Sequence, residues 1–217
     1  MTRVKICGLR RVEHAGAAIE AGADMLGFIF YPAVPRYVEP SAVRDLLEAL
    51  PRGAFETVGV FVNEAPARID EIAELVGLDL VQLSGDESPE LNGRLSRPVA
   101  RTVHVDAATT AEQIAARAAG ARLIHLDTRK PGRYGGTGTP FDWRVARDAG
   151  ALGPILLAGG LSPENVADAI TAARPWGVDV SSGVERDGRK DEALIRRFVT
   201  AVRAISVESA AVEGVSR

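Results

Sequence analysis

The chain has 217 residues, 46% hydrophobic and 25% charged. That is enough apolar material for a full core, it is the length of one domain or two small ones, and it excludes a disordered chain. No apolar run approaches the ~20 residues of a membrane-spanning helix, and a formal net charge of −3 argues against a nucleic-acid binder that works by neutralising phosphates.

A single cysteine, Cys7, excludes a disulfide within the chain and a multi-cysteine zinc site. His14, His104 and His125 match no metal-ligand spacing. The opening Met1-Thr2-Arg3-Val4-Lys5 lacks the apolar core of a secretory signal, so the expectation is a soluble cytoplasmic protein.

Short β-branched runs alternate with helical patterns along the whole chain. Val4–Cys7 is the first run, closed by Gly8, and Val12, Ala15, Ile19 and Gly22 follow at helical spacing. Met25–Phe30 and Thr57–Val62 are the second and third runs. Next, Ile69, Ile72 and Val76 form an apolar stripe with Asp70, Glu71 and Glu74 opposite. Leu80–Leu83 and Val99–Val103 are the fourth and fifth runs, and Thr110-Ala111-Glu112-Gln113 reads as a capping box. After Leu123–Leu126 and Pro154–Ala158, Ser162-Pro163 reads as an N-cap with proline at the first helical position. Gly177–Val180 is the eighth run, and Leu194, Phe198, Val202 and Ile205 stripe the last helix. Residues 206–217 carry no stripe and are expected to fray.

Strands alternating with helices imply parallel pairing. Eight such units predict a single-domain (β/α)8 TIM barrel over residues 1–205. The competing layout is an open doubly wound sheet. It usually has fewer strands, and no Gly-x-Gly-x-x-Gly follows the first run.

In such a barrel, chemistry gathers at the C-terminal ends of strands. Cys7 ends strand one, Asp127 follows strand six, and Asp179 lies within strand eight. If Val4 and Ile6 face the helices, Lys5 and Cys7 face inward, as does Asp179 between Val178 and Val180. Strands one and eight are neighbours in a closed barrel, so a Lys5–Asp179 ion pair is expected, within about 6 Å. Taken singly, a cysteine in an apolar strand is usually core filling, and an aspartate after a strand is usually a turn residue. His125 reads as a satisfied interior histidine, and His104 and His14 as surface residues.

Gly159-Gly160 and Ser182-Gly183 follow strands seven and eight, where bare backbone N–H groups commonly hold phosphate. Tyr134-Gly135-Gly136-Thr137-Gly138 follows strand six and reads either as a surface loop or as a lid touching the ligand.

These motifs, in order, resemble the phosphoribosylanthranilate isomerase family of tryptophan biosynthesis. The likeness starts with Val4-Lys5-Ile6-Cys7-Gly8-Leu9 and runs through Gly27-Phe28-Ile29-Phe30, Pro35-Arg36-Tyr37 and Gln82-Leu83-Ser84-Gly85. It continues in Leu126-Asp127-Thr128, the Tyr134–Gly138 stretch and Leu157-Ala158-Gly159-Gly160-Leu161, and ends in Val178–Glu185. The resemblance implies an Amadori rearrangement of a phosphoribosyl substrate without metal or organic cofactor, and no nucleic-acid or membrane partner. It leaves the oligomeric state open. It implies Cys7 as general base, Asp127 as general acid, Arg36, Gly136 and Asp179 as substrate-binding, and Gly159, Gly160, Ser182 and Gly183 around the phosphate.

The chain departs from the family pattern at Ser84, where histidine is usual, at His14 and at Val34. Phosphate loops alone would equally suit an epimerase or an indole-glycerol-phosphate synthase, and a catalytically silent barrel would keep the loops without the chemistry.

Overall fold

The computed structural model describes residues 1–51, 53, 55–106, 108–128 and 143–214, with side chains as far as Ile205. Gly136 and the Tyr134–Gly138 stretch lie outside the described residues.

The chain alternates strand and helix: β1 (Arg3–Cys7), α1 (Val12–Ala21), β2 (Met25–Ile29), α2 (Pro40–Glu48), β3 (Glu56–Phe61), α3 (Pro66–Val76) and β4 (Leu80–Leu83). It continues with β5 (Val99–Val105), α4 (Ala111–Ala118), β6 (Leu123–Thr128), α5 (Arg144–Asp148), β7 (Ile155–Leu157), α6 (Val166–Ala173) and β8 (Gly177–Val180). A short hairpin, β9 (Glu185–Arg186) and β10 (Arg189–Lys190), precedes α7 (Glu192–Gly214), which runs on past the last stripe residue, Ile205.

β1 to β8 pair in chain order, all in parallel, and close into a barrel with β8 against β1. The local signals account for many of the boundaries. Thr110 and Gln113 exchange the two hydrogen bonds of a capping box at the start of α4. Pro40 and Pro66 open α2 and α3, and left-handed Gly22 and Gly77 end α1 and α3.

Ser162-Pro163 differs from expectation. The Ser162 N–H donates to Asn165 Oδ1 at 2.8 Å, and Asn165 Nδ2 donates to the Gly160 carbonyl at 2.9 Å. These bonds hold a turn over residues 162–165, and helix α6 starts only at Val166.

Strand alternation sorts the core into two parts. Val4, Ile6, Phe28, Leu83, Leu157 and Val180 face outward and pack with the helices. Inside the barrel, Met25, Val58, Leu80, Ala100, Leu123 and Leu156 form a separate apolar plug. Each fully buried large side chain of this kind contributes about 1.5–3 kcal/mol by leaving water. Among the described residues, no helix is long and apolar enough to cross a membrane.

Candidate active site

Two residues along the strands from the plug, the inward positions turn polar. Lys5 sits opposite Asp179 across the β1–β8 seam, and Lys5 Nζ donates to both Asp179 oxygens at 3.1 Å. The expected ion pair is present, and Lys5 is wholly buried. Burial alone would pull the Lys5 ammonium down, but Asp179 and Cys7 outweigh it and hold it above the ordinary lysine range. Burial likewise pushes Asp179 up, and Lys5 and His125 outweigh that and hold it below its ordinary value. Both directions fit a charged pair.

The pair is one end of a hydrogen-bonded row. His125 Nε2 lies 2.9 Å from Asp179 Oδ2, and its Nδ1 lies 3.0 Å from Thr102 Oγ1. With the carboxylate accepting, Nε2 carries the ring proton and, in the neutral ring, the Thr102 hydroxyl donates to Nδ1. Thr102 Oγ1 meets Ser84 Oγ at 2.8 Å, and Gln82 Nε2 donates to Ser84 Oγ at 3.1 Å. His125 is therefore the satisfied interior histidine expected. Ser84 takes a place in this row as a hydroxyl. Gln82 Oε1 is buried without a partner among the described residues, on a side chain that lines the cavity above.

That cavity opens at the C-terminal ends of the strands. Cys7, Arg36, Asp127, Gly159, Gly160, Asp179 and Ser182 all line it, so seven of the nine predicted site residues share one space. Gly183 packs just behind, in the tight turn Ser182–Val184, where a Cβ would run into the Leu161 carbonyl. Gly159 has φ +86°, and a Cβ there would collide with Thr128. Only glycine fits that close approach to the end of β6.

Asp127 is 7% exposed and accepts the Thr128 N–H at 2.8 Å. Burial raises its carboxyl above the ordinary aspartate range, against the pull of His125 and His104. Burial also raises the Cys7 thiol, against the pull of Lys5 and Lys190. Asp179 lines the cavity with both oxygens already engaged, by Lys5 and His125.

The structure corrects the placing of His104. β5 continues to Val105, so His104 points inward like Thr102, pairs in register with Asp127, and lines the cavity. Its Nε2 lies 3.2 Å from the Ser84 carbonyl.

Arg36, on the cavity lining, meets two charged groups of the hairpin after β8 that line a neighbouring recess. Arg36 Nε and Nη2 both donate to Glu185 at 2.8 Å, and Lys190 Nζ donates to Glu185 Oε1 at 2.7 Å. Burial pushes Glu185 up, but the two cations outweigh it and hold it at about 2. The sequence reading gave Glu185 and Lys190 no role. One signal was available: Asp187-Gly188, with φ of +52° and +73°, is the two-residue turn that makes a hairpin. Among the described residues, no three His, Cys, Asp or Glu side chains gather as a metal site.

The comparisons with known proteins agree with this architecture. The family model described as N-(5'phosphoribosyl)anthranilate (PRA) isomerase matches residues 4–201. The N-(5'-phosphoribosyl)anthranilate isomerase of Moorella thermoacetica is 48% identical over 205 residues, covering 94% of this chain and 90% of its own. The crystal structure of phosphoribosyl anthranilate isomerase from Thermotoga maritima superposes with a TM-score of 0.84 at 41% identity, covering 94% of this chain and all of that one. A crystal structure of a phosphoribosyl anthranilate isomerase in complex with reduced 1-(o-carboxyphenylamino)-1-deoxyribulose 5-phosphate has a TM-score of 0.80 at 38% identity, with the same coverage. A family match over most of the chain, on a closed barrel with this polar cavity, places the chain in the N-(5'-phosphoribosyl)anthranilate isomerase family.

Proposed function

We propose that the chain converts N-(5'-phosphoribosyl)anthranilate to 1-(2-carboxyphenylamino)-1-deoxyribulose 5-phosphate in tryptophan biosynthesis, with Asp127 as general acid and Cys7 as general base. The observation that carries the role assignment is that Cys7 and Asp127 line one cavity together with Arg36 and the glycine turns after β7 and β8.

The residue types suit the steps. Opening the furanose needs a proton on the ring oxygen, leaving a Schiff base at C1. A carboxyl raised by burial, as Asp127 is, keeps that proton at higher pH than a free aspartate does. Removal of the C2 proton then gives an enolamine, which tautomerises to the ketone. Cys7 takes that proton as thiolate. The working state therefore pairs a protonated carboxyl with an ionised thiol, and anything that lowers the thiol or raises the carboxyl enlarges its population.

Arg36, which lines the cavity, is assigned to the anthranilate carboxylate. Gly159, Gly160, Ser182 and Gly183 are assigned to the phosphate, which sits away from the reacting carbons and orients them. Gln82 Oε1, buried and unpartnered among the described residues, suits a substrate hydroxyl. Gly136 keeps its expected substrate contact as part of this proposal.

Loss of anthranilate fluorescence with freshly made substrate tests the reading. Wild type should consume it, and Cys7→Ala and Asp127→Asn should each lose about 10²–10⁴-fold in kcat/KM. Full activity in either variant removes that role, and an inactive wild type favours a silent barrel. Inorganic phosphate should compete with substrate, and no competition would speak against the site after β7 and β8.

A further inference from the structure

We propose that Lys190 is a positioning residue for Cys7: together with Arg36 and Glu185 it forms a cluster with one more cation than carboxylates, and that charge raises the thiolate share of Cys7 above what burial and the Lys5–Asp179 pair alone would leave. The inference rests on the base role given to Cys7 above and names a group that supports it.

Two ammonium groups bear on Cys7. The first, Lys5, lies two residues back on the same face of β1, where Asp179 holds it through both oxygens. At the thiol the pair cancels only in part: Lys5, which also hydrogen-bonds Cys7, outweighs Asp179. The second is Lys190, on the inner side of the β9–β10 hairpin and in register with Glu185. Its side chain is 3% exposed. Its Nζ donates to the Ser181 carbonyl at 2.9 Å, to Ser181 Oγ at 3.3 Å and to Glu185 Oε1 at 2.7 Å. Ser181 Oγ in turn donates to the Cys7 carbonyl at 3.2 Å. The lysine and the cysteine are thus tied to one serine.

The charge count separates the two clusters. Lys5–Asp179 is balanced one to one. In the other cluster, a single carboxylate, Glu185, serves two cations, Arg36 through two bonds of 2.8 Å and Lys190 through one of 2.7 Å. These three groups carry one net positive charge, and Arg10, Arg11 and Arg189 add to it around the same recess. The charged groups that act on the thiol are Lys5 from β1, Asp179 from β8, Arg36 from the loop after β2 and Lys190 from the hairpin, whose Glu185 ties Arg36 to Lys190. Asp127, His125 and His104 line the same cavity as Cys7 from β5 and β6. Burial pushes the thiol up, Lys5 pulls it down, Asp179 works against Lys5, and Lys190 adds its own downward pull. A compact ammonium on a buried stem acts here as a point charge.

The chain has one cysteine and three tyrosines, so ultraviolet thiolate absorbance against pH, taken as the difference from the same protein carrying Cys7→Ala so that the tyrosines cancel, reports Cys7 without substrate. In the full chain, Lys190→Met should move the titration midpoint up, by less than the pull of Lys5. Lys190→Arg should restore most of that shift. Glu185→Gln, which removes the anion and leaves both cations, should move the midpoint down. A Lys190→Met protein that melts earlier but titrates at the wild-type midpoint would reduce Lys190 to a hairpin anchor and overturn the proposal. If Lys190→Met does not fold, Glu185→Gln decides: a downward shift supports the proposal, and an unmoved or raised midpoint overturns it. The fluorescence assay is a separate measurement. A wild type that titrates as described but consumes no substrate sinks the isomerase reading and leaves the Lys190–Cys7 coupling standing.

Discussion

The two ends of the barrel interior share the same eight strands and the same alternation, yet do opposite work. Toward the strand starts, Met25, Val58, Leu80, Ala100, Leu123 and Leu156 pack as an apolar plug. Two residues further along, the inward positions include Gln82, Thr102, His125, Lys5 and Asp179, joined by hydrogen bonds. The plug stabilises by removing apolar area from water. The polar row contributes much less net stability per contact, because its groups had water as partners in the unfolded chain. What the row does is hold each polar group in one place, and breaking it strands a buried charge.

The largest effect on stability should come from breaking the polar end. Lys5→Met leaves Asp179 buried without its cation and should cost about 3–5 kcal/mol in denaturant unfolding. The double variant Lys5→Met with Asp179→Leu should recover much of that loss, because neither charge is then buried. A single variant that unfolds like wild type would mean the pair carries no such coupling.

The plug is probed by Leu80→Ala, which should lose about 2–5 kcal/mol through lost burial and a residual cavity. The kcat/KM of the folded protein should stay near wild type, since Leu80 lies a layer below the cavity. A large loss of turnover at unchanged stability would blur the division between the two ends.

A smaller effect concerns pH. Glu185 is held at about 2 in the folded protein against an ordinary 4.5. Its contribution to stability is therefore fully present above about 4.5 and is lost as pH falls toward 2. Glu185→Gln should flatten the pH dependence of unfolding across that window and leave its shape near neutrality unchanged. An identical acid slope in variant and wild type would show that the Arg36–Glu185–Lys190 cluster does not carry this linkage.

Much of the site was legible because strand periodicity is local. Alternation in Val4–Cys7 and Gly177–Val180, with closure of β8 on β1, is enough to bring Lys5 to Asp179. A strand five that stops at Val103 leaves His104 outside the barrel, whereas the real strand runs two residues further. Carrying the Ala100, Thr102, His104 alternation to Val105 would have pointed it inward. A turn over residues 162–165 precedes α6 because Asn165 side-chain bonds add to the cap bond that the Ser162 hydroxyl accepts from the Glu164 N–H at 3.3 Å.

By itself the sequence determined the eight strands, their inward and outward faces, and the strand ends where Cys7, Asp127 and the glycine turns lie. Those follow from period-two patterning and turn chemistry, which act between near neighbours. Only the tertiary structure decided that Arg36, Glu185, Ser181 and Lys190 meet above Cys7. That cluster joins the loop after β2 to the segment after β8, and contacts separated by up to 174 residues are set by barrel closure, which no local pattern encodes.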